Sequence, residues 1–386
     1  MMNIYRYLAP HQAQRYFTAL ALTAYLCLNS VTTFAQDDAL TDMSLPSSLT
    51  PHSFLLDLEQ VGNKLVAVGE RGHILISEDE AISWQQMQVP VRVTLTASYF
   101  INKKQGWVVG HDGVVLNTLD GGIHWHKQLD GEQVNQLMSE HAQSVLTNAE
   151  IAIKTVALEQ RNQLEMELEE LIIAAGDTDR FLGEGASRPF LDVWFRNELE
   201  GFIIGAYGLF LHTTDGGRSW QPWTRHINNP DLLHLNAISP VDDSIYIAAE
   251  AGFLFRSDDN GENWISLESP YDGTFFGLIG AGDHALVAYG LRGNAFISFN
   301  KGDTWKTINT GIDASLFGST RLADGSIVLV GDGGFSIQIN PIGKVTHLKQ
   351  TIRKLPLSAV INKIDNSLLS VGLGGIHPLP IHNNKS

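Results

Sequence analysis

One pattern of short apolar runs and paired glycines recurs seven times along the 386 residues. A fixed repeat of this length constrains the fold more than any other feature, because it builds the same supersecondary unit again and again. In the first copy Val66-Ala67-Val68-Gly69 leads into Gly72-His73-Ile74-Leu75-Ile76-Ser77 and closes on Trp84. Four further copies keep this order and close on Trp125, Trp220, Trp264 and Trp305. Two degenerate copies, from Ile327 to Phe335 and from Leu368 to Ile376, lack the tryptophan. Most adjacent tryptophans lie about 41 residues apart. The runs are rich in β-branched and aromatic residues and are separated by glycine turns, so each unit reads as strands. Four strands in roughly 40 residues is the spacing of a propeller blade. The predicted fold is therefore all-β: a seven-bladed β-propeller, with blades 1–2 over residues 53–130 and blades 3–7 over residues 188–381. The last unit leaves little room for a fourth strand, and the N-terminal segment 36–52, around Leu45 to Leu49, is expected to supply it and close the ring.

A second motif, Ser/Thr-x-Asp-x-Gly-x-x-Trp, follows the third strand of the complete units. It is intact at Thr118, Asp120, Gly122 and Trp125, at Thr213, Asp215, Gly217 and Trp220, and at Ser257, Asp259, Gly261 and Trp264. Two copies vary: Asp79 and Trp84 have Ala81 in place of the glycine, and Gly302 and Trp305 have Asn300 in place of the aspartate. This is the Asp-box, or bacterial neuraminidase repeat. A short acceptor side chain binds nearby N–H groups, glycine takes the positive φ, and tryptophan packs over the turn. The expected role of all these residues is to hold blades together, with no part in catalysis.

Trp125 to Trp220 spans 95 residues. The extra length, residues 131–187, carries no glycine or proline from Glu132 to Ala175 and repeats apolar residues every three or four positions. That is a helical pattern ending at Gly176, so an α-helical insertion is predicted between the second and third blades. It reads either as one long helix or as an antiparallel pair turning near Thr147-Asn148; the pair buries both apolar stripes. The Glu165, Glu167, Glu169 and Glu170 cluster reads as a solvated face.

Residues 1–35 read as an export signal: Arg6 and Arg15, then an apolar run from Phe17 to Leu28, then Thr33-Phe34-Ala35 at cleavage spacing. The single cysteine, Cys27, lies inside it, with Leu26 where a lipoprotein signal needs a small residue. The expectation is a periplasmic or otherwise exported chain, not lipidated, with no thiol chemistry, no disulfide and no membrane span once the signal is removed. Its removal would take the net charge from −16 to −18. So acidic a body argues against nucleic acid as a partner. Residues 382–386 read as a solvated tail.

Turns of a meander alternate between two ends. The Asp-box turns lie at one end, and the Gly-x-x-Gly turns share the other with the blade-to-blade connections, the insertion among them. The candidate binding face is therefore Glu70, Arg71, His111, Asp112, Tyr207, Glu250, Leu291, Arg292 and Asp332. His124 and His126 flank Trp125 with no third ligand in view, so no metal and no cofactor is expected.

The tandem Val-Gly-x-x-Gly and Asp-Gly-Gly-x-x-Trp units resemble the photosystem II assembly/stability factor family of propellers over about residues 53 to 380, the insertion excluded. The stretch Ser187-Arg188-Pro189-Phe190-Leu191-Asp192-Val193-Trp194-Phe195 resembles its bacterial, non-photosynthetic branch. The resemblance implies a non-catalytic scaffold that binds and helps assemble or stabilise a membrane-protein partner on the exported side, in that branch beside an exporter of the resistance-nodulation-division type. The alternative is a sialidase-like glycoside hydrolase built on the same repeat. That chemistry needs three arginines, and only Arg71 and Arg292 occupy equivalent turns. Tyr207 with Glu250 is the one conceivable nucleophile pair, and the Phe/Tyr-Arg-Ile-Pro motif is missing.

Overall fold

The computed structural model describes residues 38–379, apart from Ala157 and Asp283; the signal reading of residues 1–35 and the tail at 382–386 lie outside the described residues. Seven antiparallel sheets follow one another in chain order. The first blade is β1 (Leu55–Val61), β2 (Lys64–Gly69), β3 (Ile74–Ser77) and β4 (Gln85–Met87); the second is β5 (Leu95–Phe100), β6 (Gly106–Gly110), β7 (Val115–Thr118) and β8 (His126–Leu129). The insertion comes next as α1 (Gly131–Thr155) and α2 (Leu158–Glu184). The third blade is β9 (Phe190–Phe195), β10 (Gly201–Gly205), β11 (Phe210–Thr213) and β12 (Gln221–Pro222); the fourth is β13 (Leu235–Val241), β14 (Ser244–Ala249), β15 (Leu254–Ser257) and β16 (Ile265–Ser266). The fifth is β17 (Phe275–Ala281), β18 (Ala285–Gly290), β19 (Ala295–Ser298) and β20 (Lys306–Ile308); the sixth is β21 (Leu316–Arg321), β22 (Ile327–Gly331), β23 (Phe335–Ile339) and β24 (Val345–Gln350). The seventh has three strands among the described residues, β25 (Leu357–Asn362), β26 (Leu368–Gly372) and β27 (Gly375–Leu379).

The second and third strands of the complete blades are nearly continuous apolar runs because blades cover both of their faces. Fourth strands are short and carry exposed polar residues, as Gln85 and Lys306 do, which suits an outer edge. First strands touch one another all the way round, and β25 touches β1, so the ring is closed by packing. Each tryptophan of the Asp-box repeat fills the junction with the preceding blade. Trp125 lies among Val66, Ile74 and Ile76 of the first blade, edge-on to Phe100. Trp220 meets Phe195 edge-on, Trp264 meets Phe210, and Trp84 joins Leu369 and Val371 of the seventh blade.

Three expectations change. Leu45 to Leu49 adds no strand to the seventh blade. The segment is tied to the first blade instead: Ser44 N–H donates to Val89 O at 2.8 Å, Val89 N–H to Ser44 Oγ at 3.0 Å, and Gln86 Nε2 to Leu45 O at 2.9 Å. Those bonds satisfy backbone beyond the first blade's short outer strand, and the turn that follows, Thr50–His52, touches β27 without pairing as a strand.

The insertion is a helix pair, and it breaks after Thr155, where Val156 is extended (φ −84°, ψ 153°), not near Thr147-Asn148. Breaking there pairs two helices of matched length. Half-buried Val145, Ala149 and Ala152 on α1 then share a seam with Leu164, Leu168 and Leu171 on α2. Gly176 lies inside α2; a Cβ there would meet nothing within 4 Å, so its cost is only the helix propensity of a glycine, about 1 kcal/mol.

Candidate binding face

The Gly-x-x-Gly turns are single 3-10 turns in which the second residue is left-handed: Arg71 (φ 56°), Asp112 (φ 55°), Tyr207 (φ 54°), Ala251 (φ 53°) and Arg292 (φ 55°), with Gly333 (φ 65°) in the sixth blade. Five non-glycine residues thus hold a conformation costing about 1 kcal/mol or more each, at one repeated place on the ring. The opening glycine has a different reason. Gly69 is extended, but a Cβ there would stand 2.3 Å from Phe54 O, where the chain enters the first strand.

This arrangement sorts the candidate residues into two kinds. Arg71, Asp112, Tyr207 and Arg292 crest the turns; Tyr207 is 47 % exposed. His111, Glu250 and Asp332 stand one residue earlier, with Glu70 and Leu291. Carboxylates of this second kind are engaged locally. Glu250 Oε2 accepts from His234 N–H at 3.1 Å, Glu70 Oε1 from Phe54 N–H at 3.0 Å, and Asp332 Oδ1 from Gly333 N–H at 2.7 Å. Glu250 is thus tied to the backbone, and Tyr207 packs on His234 and Phe181.

The helix pair is rooted on this face. Asp130 caps α1 in a capping box with Gln133, and Gly131 stands against the Asp112 carbonyl and Gly113. Asn135 Nδ2 donates to Phe181 O (2.9 Å) and Gly185 O (2.8 Å), while Arg188 donates to Asn135 Oδ1 (2.7 Å) and stacks 4.0 Å from the Phe181 ring. Burial lowers Arg188 to about 10. Phe181 meets Tyr207 at 5.6 Å, and Glu167 on α2 pairs with Arg225 at 3.0 Å. Burial also raises the Asp112 carboxyl above its ordinary value, against the pull of His111.

The opposite end is closed on itself. In the second blade Thr118 Oγ accepts from Gly122 N–H (3.0 Å) and donates to Asp120 Oδ1 (2.9 Å); that oxygen also accepts from His124 N–H (2.9 Å). Trp125 Nε1 donates to Gly122 O at 2.8 Å. Asp215 and Asp259 repeat this with Ser219 and Asn263, Asp79 with Ser83, and Asn300 with Thr304 through its amide oxygen. Some burial raises Asp120, but the His124 backbone and side-chain bonds outweigh it and bring the carboxyl down to about 2. His124 is thereby accounted for as part of the turn.

A third set of groups, which the sequence reading missed, faces the axis. Every first strand carries the same one-residue register shift against the second. The position just after the shift reads Asp57, Ala97, Asp192, Ala237, Gly277, Gly318 and Ala359 round the ring. Asp57 Oδ2 accepts from Ser98 N–H (2.7 Å) in the next blade, and Asp192 Oδ2 from Ile238 N–H (2.8 Å), so each carboxylate ties two first strands. Burial pushes Asp192 up to about 7 despite these N–H donors and raises Asp57 as well. Glu59 goes well above its ordinary range by burial, and then by repulsion from Asp57 and Asp192. Tyr289 of the fifth blade is pushed up to about 12, by burial first and with Asp192 and Asp57 contributing, which places groups from three blades about one axis. Gly277 makes this possible, since a Cβ there would stand 2.1 Å from the Tyr289 hydroxyl, which donates to Ser319 at 3.0 Å. The signal for these acids was present: Asp57 and Asp192 hold the same place in Leu-Leu-Asp-Leu and Phe-Leu-Asp-Val. Among the described residues no group of three or more His, Cys, Asp or Glu could hold a metal ion.

A family model described as photosynthesis system II assembly factor YCF48 matches residues 76–152 and 184–354. The photosystem II assembly lipoprotein Ycf48 of Synechococcus sp. (strain CC9902) is 31% identical over 77 residues, which is 20% of this chain and 23% of that protein. The fold is similar to that of YCF48 bound to a D1 peptide (13% identity, TM-score 0.58, 85% of this chain and 93% of that one). It is also similar to YCF48 from Cyanidioschyzon merolae (12% identity, TM-score 0.55, 86% and 96%). The WD40 propeller domain of Doa1 matches as well (11% identity, TM-score 0.58, 87% and 95%).

Proposed function

We propose that this chain, which belongs to the YCF48 family of photosynthesis system II assembly factors, is a non-catalytic scaffold that grips a membrane-protein partner on the face from which its helix pair grows. The observation that carries this reading is the juxtaposition at that face: left-handed, exposed Arg71, Tyr207 and Arg292, with half-buried Asp112, stand beside a helical hairpin anchored through Phe181, Asn135 and Arg188. The Asp-box carboxylates are all absorbed in their turns, so they support cohesion, and nothing about them favours glycoside hydrolysis. A YCF48 relative has been solved with a D1 peptide, and the same mode of use is proposed here with a different membrane protein. In the non-photosynthetic reading that protein is a component of a resistance-nodulation-division exporter, met on the exported side after removal of residues 1–35. No helix among the described residues is long and apolar enough to cross a membrane.

The test is affinity capture from a detergent-solubilised membrane fraction. One bait is the whole chain; the other has residues 131–187 replaced by a short Gly-Ser linker. The expected result is a membrane protein retained by the first and lost from the second at an unchanged melting temperature. Equal capture by both would overturn the reading.

A further inference from the structure

The seventh blade departs from the repeat in a way that leaves a defined vacancy of shape. A cavity of about 240 Å³ opens between the sixth and seventh blades, lined among others by Gln338, Asn362, Leu368, Val328 and Lys349. The repeat identifies the place. Gln338 pairs with Val328 as Ile76 pairs with Val66, and Asn362 pairs with Leu368 as Phe100 pairs with Gly106. Ile76 and Phe100 are the residues that hold Trp125 between the first and second blades. The cavity therefore occupies the slot that a closing tryptophan fills at other junctions, next to a blade whose outermost described strand, β27, has no fourth strand beside it.

We propose that this slot receives an aromatic side chain carried by an extended segment of a partner protein, which lies along β27 and completes the seventh blade. Four observations favour this occupant. The slot walls are Gln338, Asn362 and Lys349 where the filled slot has Ile76 and Phe100, and walls that tolerate water suit an interface that is periodically open. Asn362 Oδ1 is buried and has no hydrogen-bond partner, so it is placed to accept from an entering indole N–H or phenol O–H. Val328 and Leu368 give the ring an apolar floor. Pro378, exposed in the middle of β27, has no N–H to offer, so edge pairing is reduced and the inserted ring must supply most of the recognition. This site lies apart from the Gly-x-x-Gly face, and its test is independent of that reading.

The probe is a labelled peptide of residues 78–88, which carries Trp84 and the fourth strand of the first blade; binding to the full chain is read by fluorescence anisotropy. Saturable binding is expected, at least tenfold weaker for the peptide with Trp84→Ala and for the chain with Ser336→Trp, which fills the slot. Tyr207→Ala on the other face should leave it unchanged. Asn362→Ala removes the acceptor without adding bulk, is expected to weaken binding about threefold, and carries the test if Ser336→Trp does not fold. No binding, or binding indifferent to Trp84→Ala and to both slot variants, overturns the proposal. So does a tenfold gain in affinity on deleting residues 380–386, which would make the chain's own tail the occupant. A dimer in sedimentation that Ser336→Trp dissociates would make it a second copy and overturn the proposal equally.

Discussion

The two ends of the ring are built from different turns and put to different uses: residues 70–73 join the second and third strands of the first blade, and the longer 78–84 joins the third and fourth. At the Asp-box end the hydroxyl and the carboxylate are answered inside their own turn: Thr118, Asp120 and Gly122 bond one another, and Trp125 closes the junction at 5 % exposure. The Gly-x-x-Gly end holds left-handed residues as the Asp-box end does at Glu80, Ala81, Asn260 and Lys301, but it turns Arg71, Tyr207 and Arg292 to solvent. The first end spends its residues on cohesion. The second presents its crest side chains outward.

The contrast can be broken most sharply by truncating one aromatic at each end. Trp125→Ala empties a slot between two blades and is expected to cost about 3–5 kcal/mol in urea unfolding. Tyr207→Ala, nearly half exposed, is expected to cost under about 1 kcal/mol while abolishing partner capture. Comparable losses from the two would erase the distinction between cohesion and recognition.

The axis allows a second test. The folded-state Asp192 value, about 7, lies above the ordinary 3.8, so the native fold holds a proton that the unfolded chain has released. That contribution is full below about pH 4 and disappears as pH rises through about 7, roughly 2–4 kcal/mol in all. Asp192→Asn cannot ionise, so unfolding series at several pH values should show the wild type losing stability relative to the variant across this window. Parallel curves would show that the carboxylate titrates normally.

The smallest expected effect sharpens the strain argument. Arg71→Gly relieves a left-handed side-chain residue and should raise the melting point by an amount equivalent to up to about 1 kcal/mol, while weakening partner binding. A loss of stability would mean that the left-handed turn carries no strain.

Much of this was legible in the sequence because the information is local and repeated. Two apolar runs, their glycines and a tryptophan define a blade wherever they occur, and seven copies cannot be satisfied except by stacking. The Asp-box roles were equally plain, since donor and acceptor lie within four residues of each other, as Asp215 and Ser219 do. The face bearing the insertion followed from strand alternation alone. The division of that face into crest residues and tied carboxylates did not, because Glu250 and Arg292 look equally polar until the backbone shows which one is left-handed and which accepts from His234.

What the sequence settled by itself was the sheet count, the blade order and the turn chemistry, because each is encoded within a single unit of about 41 residues. The tertiary structure alone decided three matters: where Leu45 to Leu49 runs, where the helix pair folds back, and which acids converge on the axis. These depend on contacts between residues far apart in the chain. Asp57, Asp192 and Tyr289 belong to different blades, and only the closing of the ring brings them within reach of one another.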